Sequence, residues 1–313
     1  MTNNRPVFSV IIPVHNQEIL VRHALDSVLS QRMTDYEIIV VNDGSDDNTS
    51  VTLKDYDNKI IIIDQENKGP GHARNTAITH AQGKYVTFLD SDDLWFPWTL
   101  EHFYRAIQKH SFPSIISGSH VDINTDSDID HISEKPCQYL LYKDYLESVR
   151  DMLWLGTCAT AIRRDILRGS KTFSPLNINS EDNDLMMSLG TAPGFVYIQG
   201  PPLFAYRKRT GSRVSEIDRS IAGSFYLIVQ EKSESYPGGK ERQCERWYML
   251  GRHIRKVINL GIQNYRLKDA WKLYCATFKW NIYSSSFRFI VKVPVSIFIR
   301  LIKKPEFDGP GGR

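Results

Sequence analysis

Cysteine is scarce in this chain, and the four present (Cys137, Cys158, Cys244 and Cys275) are far apart and form no CxxC pair. That argues against a disulfide framework or a structural zinc site and suits a reduced, cytosolic setting. The first residues carry no signal-peptide core, and no uninterrupted apolar run is long enough to cross a bilayer. A formal net charge of +3 over 313 residues is too small to argue for nucleic-acid binding. No GxGxxG follows the first apolar run, where Pro13-Val14-His15-Asn16 stands instead, so a Rossmann dehydrogenase is not expected. A Walker A loop and the GxSxG elbow of α/β hydrolases are also missing. A solenoid-period repeat is lacking too.

An ordinary soluble α/β pattern remains. The apolar fraction is 41% and the charged fraction 24%. Residues 7–14 (VFSVIIPV), 37–41 (EIIVV), 59–63 (KIIII) and 85–89 (YVTFL) read as strands. Between them lie helical patterns. The first presents Ile19, Leu20, His23, Ala24, Ser27 and Val28 on one face, and the third is expected to stop at Gly83. Strands and helices alternating in this way predict a mostly parallel sheet covered by helices on both faces. Further strands are expected at 114–117, 157–162, 196–198 and 203–206, and helices at 98–109 and 181–189. From Arg219 onward the chain is expected to be helical. The division expected is 1–215 for the α/β domain and 216–313 for a helical extension.

The strand ends carry the chemistry. Residues 85–93 run from a buried strand into Asp90-Ser91-Asp92-Asp93, three carboxylates within four positions. In open α/β sheets ligands bind beyond the carboxyl ends of strands. Clustered carboxylates repel unless a cation shares the site, and a hard Mg²⁺ or Mn²⁺ ion suits them. Each feature also has a plainer reading: Ser91 to Asp93 as a helix cap, Asp43 as a turn former, Arg74 as a surface helix residue. Together, at successive strand ends, Asp43, Arg74, Asp90 and Asp92 are expected to converge on one crevice. The acidic stretch Asp122 to Asp130 superficially resembles a calcium loop. It has Ser127 where such a loop needs glycine and Ser133 where it needs Glu, and is read as a hairpin tip or loop.

Four ordered motifs resemble the family 2 glycosyltransferases of the GT-A fold: Ser9 to Asn16, Val41 to Asp47, Asn67 to Asn75 and Phe88 to Asp93. A weaker match lies at Ser180 to Leu185, and the resemblance covers residues 7–215. It implies an inverting transferase that uses a nucleoside-diphosphate sugar, UDP-sugar first among donors, and a glycan or glycolipid hydroxyl as acceptor. It implies that Pro13, Val14, Asn16, Asp43, Gly71, Arg74, Asp90 and Ser91 surround the nucleotide-sugar. Asp92, with Asp90, would hold Mg²⁺ or Mn²⁺. Asp182 falls at the family's catalytic base, with Glu181 beside it as the alternative. Where many members place a histidine after a Tyr-Arg strand, this chain has Tyr206-Arg207-Lys208-Arg209. Arg207 or Arg209 is therefore the candidate for neutralising the diphosphate.

Three rival readings fit the sequence less well. A sugar-1-phosphate nucleotidyltransferase would need a basic Gly-rich loop after the first strand. A non-catalytic sugar-nucleotide-binding module would not need the set of Asp43, Asp90, Asp92 and Asp182. A basic membrane-surface scaffold leaves those carboxylates unexplained. The last segment, residues 287–304, places Arg288, Lys292, Arg300 and Lys304 along one side of an apolar helix, with Pro294 expected to kink or split it. Such a segment can lie on an anionic membrane surface, and a peripheral position at the inner face of the membrane is expected.

Overall fold

The computed structural model describes residues 5–151, 153, 156–167, 172–208 and 216–302. The first apolar run forms β1 (Phe8–Val14), buried at every position. It pairs in parallel with β2 (Tyr36–Asp43) on one side and β4 (Tyr85–Phe88) on the other. A strand covered on both faces needs an unbroken apolar sequence, and its alternate residues feed two different cores. Phe8, Val10, Ile12 and Val14 pack with Val21, Ala24, Leu25 and Val28 of α1 (Leu20–Leu29). Ile11 faces the other way, toward Ala73 and Ala77 of α3 (Pro70–His80).

β3 (Ile61–Gln65) is the parallel edge strand beyond β2, and the short α2 (Thr49–Lys54) precedes it. On the other side of β4, β9 (Thr160–Arg163) runs antiparallel between β4 and β6 (Ile115–Gly118). β10 (Phe195–Gly200) is parallel to β6, and β8 (Gln138–Tyr142) closes the edge antiparallel to β10. The order is β3-β2-β1-β4-β9-β6-β10-β8. Four of these seven pairings are parallel, and α4 (Thr99–Lys109) covers the same face as α1. A second sheet sets β11 (Phe204–Arg207) between β5 (Leu94–Trp95) and β7 (His120–Ile123).

Several sequence expectations shift. The buried face of α1 is centred on Val21, Leu25 and Val28, and Ile19 is 64% exposed. β3 begins two residues later than expected, because Lys59 and Ile60 belong to the preceding turn. Helix α3 ends at His80 with Ala81 extended, so Gly83 is not its cap. Gly83 is required instead because a Cβ there would stand 2.5 Å from the Ser9 backbone nitrogen. The expected strand at 157–162 opens with a 3₁₀ turn, Thr157–Ala159. The acidic stretch supplies the end of β7 and then a 3₁₀ turn, Asp126–Ile129, closed by a capping box between Thr125 and Asp128.

After α5 (Glu181–Ser188) and β10–β11 come α6 (Ile217–Lys232), α7 (Gln243–Gln263), α8 (Leu267–Ala276), α9 (Phe278–Tyr283) and α10 (Phe287–Ile302). Pro294 lies inside α10 without splitting it. These helices share the core that contains Ile11 and Phe88, to which they add Trp247, Ile254, Leu273, Trp280 and Val293. A buried ion pair, Arg246 Nε to Glu231 Oε2 at 2.7 Å, ties α7 to α6. The helical extension is therefore packed onto the sheet, and two of its helices, α6 and α7, reach the cleft at the strand ends.

Candidate active site

The carboxyl ends of β1, β2 and β4 open into a cleft of about 1290 Å³. A pocket for one drug-sized ligand holds roughly 300–1,000 Å³, and this cleft is larger. Asp43, Arg74, Asp90 and Asp92, the four expected from the strand ends, line it, as do Pro13, Val14 and Ser91. Glu181 and Asp182 lie on the same wall.

Arg74 is the hinge of the arrangement. It is buried, donates from Nη2 to Asp90 Oδ1 at 2.6 Å and from Nη1 to Glu181 Oε1 at 3.1 Å, and lies 5.1 Å from the centre of the Phe173 ring. Burial works against its charge, but Asp90 and Glu181 outweigh that and hold the guanidinium above its ordinary range. Nε has no partner among the described residues.

Asp43 is buried and accepts from Gln65 Nε2 (2.7 Å), the Lys68 amide (2.9 Å) and the Gly69 amide (2.8 Å). It thereby shapes the turn into α3, where Gly69 stands at φ +89° and Pro70 opens the helix. A carboxylate accepts about four hydrogen bonds, so one lone pair remains for the cleft. Two neighbours have duties other than those expected. Asn16 does not line the cleft: its amide is exchanged with Asp46 (2.6 and 2.9 Å). Gly71 is buried beneath Ser174, whose carbonyl oxygen would stand 2.7 Å from a Cβ, so a close crossing of two chain segments requires it.

The acidic cluster is organised around Asp93 as well as Asp92. Donor atoms of Asp90, Asp93 and Cys158 all lie within 4.8 Å of one another, and Asp92 is not in that group. Burial, then the negative charges of Asp90 and Asp92, push the Asp93 carboxyl well above its ordinary range. Burial, then the charges of Asp90 and Asp93, raise the Cys158 thiol, which stays protonated. Arg207, expected at the diphosphate, turns elsewhere. Its Nε donates to the Asp92 carbonyl at 2.9 Å, its amide donates to Asp93 Oδ1 at 2.9 Å, and its Nη1 pairs with Asp126. The next residue, Lys208, lines the cleft with its Nζ 2.8 Å from Asp122. Arg209 lies outside the described residues.

Asp182 and Glu181 begin α5 behind Ser180, a buried residue in left-handed backbone at φ +90°. Such a conformation is costly for serine and persists only where the surroundings enforce it. Here the helical extension does so. Ser180 Oγ lies 2.7 Å from His253 Nε2 of α7, and Asn179 donates to Ser220 Oγ of α6 at 2.9 Å. Gly223 leaves α6 without the Cβ that would sit 1.6 Å from the Asn179 carbonyl oxygen. Burial, with help from Lys256, lowers the His253 pKa to about 4, so the imidazole is neutral. Burial raises the Asp182 pKa against the opposing hydrogen bonds of Asn183 and the charge of Arg74. The far wall is α7, with Tyr248, Arg252, His253 and Lys256. The α7 residues and Cys158 stand on segments without motif signals, whereas Lys208 lies between the two arginines that the sequence put forward.

Parallel strands ending in a carboxylate-lined cleft, with an acidic helix start on the same wall, define a nucleotide-sugar transferase type of α/β fold. The profile of Glycosyl transferase family 2 matches residues 9–168, just over half of the chain, and the chain belongs to that family. Among curated relatives, the glycosyltransferase GlyA of Streptococcus pneumoniae is 36% identical over 146 residues, covering 46% of this chain and 20% of GlyA. The putative teichuronic acid biosynthesis glycosyltransferase TuaG of Bacillus subtilis is 35% identical over 152 residues, 47% of this chain and 60% of TuaG. Each match spans less than two thirds of the relative. S. aureus TarS 1-349 in complex with UDP-GlcNAc superposes with a TM-score of 0.59 at 20% identity, covering 90% of this chain and 91% of that one. Mannosyltransferase PcManGT from Pyrobaculum calidifontis, with GDP-Man and Mn2+, gives 0.52 at 16% identity over 94% and 87%. The fold is that of the GT-A transferases.

Proposed function

We propose that the chain transfers a sugar from a nucleoside-diphosphate sugar, UDP-sugar first, to a hydroxyl of a glycan or glycolipid by a single in-line displacement with inversion. The observation that carries this reading is the gathering of Asp43, Asp90, Asp92 and Asp182 along one cleft. The complexes of TarS with UDP-GlcNAc and of PcManGT with GDP-Man support the donor class. The remaining lone pair of Asp43 meets the base, and the Asp90 oxygen not held by Arg74 meets the ribose.

The donor set fits a hard divalent cation. Asp92 and Asp90 offer carboxylate oxygens, and the Cys158 thiol beside them is kept protonated and is no ligand. When bound, Mg²⁺ or Mn²⁺ supplies positive charge to the departing diphosphate. Lys208, which lines the cleft, joins Arg209 as a candidate for the diphosphate, while Arg207 is turned away to Asp126 and the Asp92 carbonyl. Asp182 accepts the proton of the attacking hydroxyl, since a carboxylate whose pKa is raised toward neutrality is the better base. Glu181 is held by Arg74 and positions the wall. A glycolipid acceptor would hold the protein at a membrane surface, peripheral and in the cytoplasm. No described helix is long and apolar enough to cross a bilayer.

A thermal-shift screen of UDP-, GDP- and dTDP-sugars with Mn²⁺, followed by an assay of nucleoside diphosphate release, tests the reading. One nucleotide class should raise the midpoint and be turned over. If no sugar nucleotide does either, the reading fails.

A further inference from the structure

The last three helices leave one apolar surface uncovered. On α10, Val293 is fully buried and Ile297 is 9% exposed, docked against the shared core. The other side is bare: Phe287, Val291, Phe298 and Ile302 are 63–67% exposed. At 100° per residue these four lie within roughly 60° of one another on the helix. Large apolar side chains are also exposed on the two helices before it. In α9, Ile282 and Tyr283 are 47% and 58% exposed, and Trp271 of α8 is 45% exposed. Large contiguous apolar patches on folded chains mark interaction sites.

Its charge is one-sided. From Ala270 to Ile302 there is no Asp or Glu, while Lys272, Lys279, Arg288, Lys292 and Arg300 are present. With 36 acidic residues in 313, a stretch of that length would carry about four. The structure also sorts these cations. Arg300 is turned aside, donating to the Tyr265 hydroxyl at 2.7 Å with its guanidinium 4.7 Å from that ring. Arg288 and Lys292 stay exposed along the bare face, where no ion pair engages them among the described residues. Lys303 and Lys304 lie outside the described residues.

We infer that α8, α9 and α10 together form a docking surface for an anionic lipid bilayer, on which α10 lies in the plane of the interface. A second copy of the chain would set Arg288 and Lys292 against their own equivalents, whereas anionic headgroups neutralise them. The geometry suits an interfacial position. The 16 residues of α10 span about 24 Å, short of the roughly 30 Å hydrocarbon core. Its apolar stripe is flanked by cations as in helices that settle into the headgroup boundary. Trp271 and Tyr283 supply rings of the kind that collect at that level. α7 stands between this surface and the cleft: Arg252 and Lys256 line the cleft, while Trp247 of the same helix stacks at 6.1 Å on Trp280 of α9. A docked enzyme holds its cleft about one helix diameter, roughly 10 Å, from the lipid.

The test is co-sedimentation of the full chain with vesicles of phosphatidylcholine alone or of phosphatidylcholine and phosphatidylglycerol in equal parts. The full chain should pellet with the anionic vesicles at low salt, be released by high salt, and stay in solution with the neutral ones. Arg288→Gln with Lys292→Gln should weaken binding roughly 30-fold, the effect of two basic groups lost from an anionic surface. Val291→Asp with Phe298→Asp should abolish it. Both variants should melt at the parent temperature and bind donor as the parent does, because these side chains are exposed and far from the strand ends. Equal binding to neutral vesicles, or parent-like binding by both variants, overturns the inference. So does light scattering that finds a parent dimer, made monomeric by Phe298→Asp, with no vesicle binding.

Discussion

Arg74 and Glu181, 107 positions apart in the chain, meet at 3.1 Å, and the same guanidinium holds Asp90 at 2.6 Å. One buried cation thus joins the wall made by β4 to the start of α5. Arg74→Ala leaves two carboxylates facing each other without it. Breaking a buried pair costs about 3–5 kcal/mol, and because Asp90 is 35% exposed the lower end, about 3 kcal/mol, is expected. Urea denaturation measures this. A value within about 0.5 kcal/mol of the parent would show that the bridge contributes little. Glu181→Gln keeps a hydrogen-bond acceptor for Arg74 and should retain most of the transfer activity.

Metal dependence follows from Asp90 and Asp92 at the cleft wall. Transfer should stop in EDTA and return with Mn²⁺ or Mg²⁺. Asp92→Asn should lose activity while melting like the parent. Undiminished turnover by that variant in chelator would remove the metal from the account.

His253 gives a pH signature. Burial lowers its folded-state pKa to about 4, while the unfolded imidazole keeps a value near 6.5. As pH falls below 6.5 the unfolded chain takes up the proton first. The stability is therefore full above 6.5 and drains away toward 4, by about 2 kcal/mol between pH 7 and 5. Asp182 and Asp184, with raised pKa values, act in the opposite sense. The readout is therefore the difference between the parent and His253→Gln, which removes the titration. Denaturation curves that shift equally with pH in both proteins would contradict it.

What the sequence made legible is what depends on local pattern. The unbroken run of β1 announces burial on both faces, and turn residues after each strand mark the mouth of the cleft. Side-chain direction is another matter. Arg207 sits beside the cleft in sequence, yet its guanidinium goes to Asp126 and the Asp92 carbonyl, because β11 pairs with β7 in a separate sheet. Gly71 reads as part of a nucleotide loop, while its necessity comes from Ser174, more than a hundred residues on. The helical extension carried no motif, so nothing local revealed that His253 and Gly223 would shape the backbone in front of Asp182. Two adjacent acids look alike in local pattern, and only the family resemblance favoured Asp182 over Glu181. The engagement of Glu181 by Arg74 supports the same choice.

The measurement that tests the central claim most directly is donor binding by calorimetry beside sugar transfer, for the parent and Asp182→Asn. A general base matters to chemistry more than to binding. The variant should bind the sugar nucleotide with Mn²⁺ almost as the parent does and transfer sugar slower by on the order of 10² or more. Transfer at the parent rate would contradict the account and place the base elsewhere in the cleft.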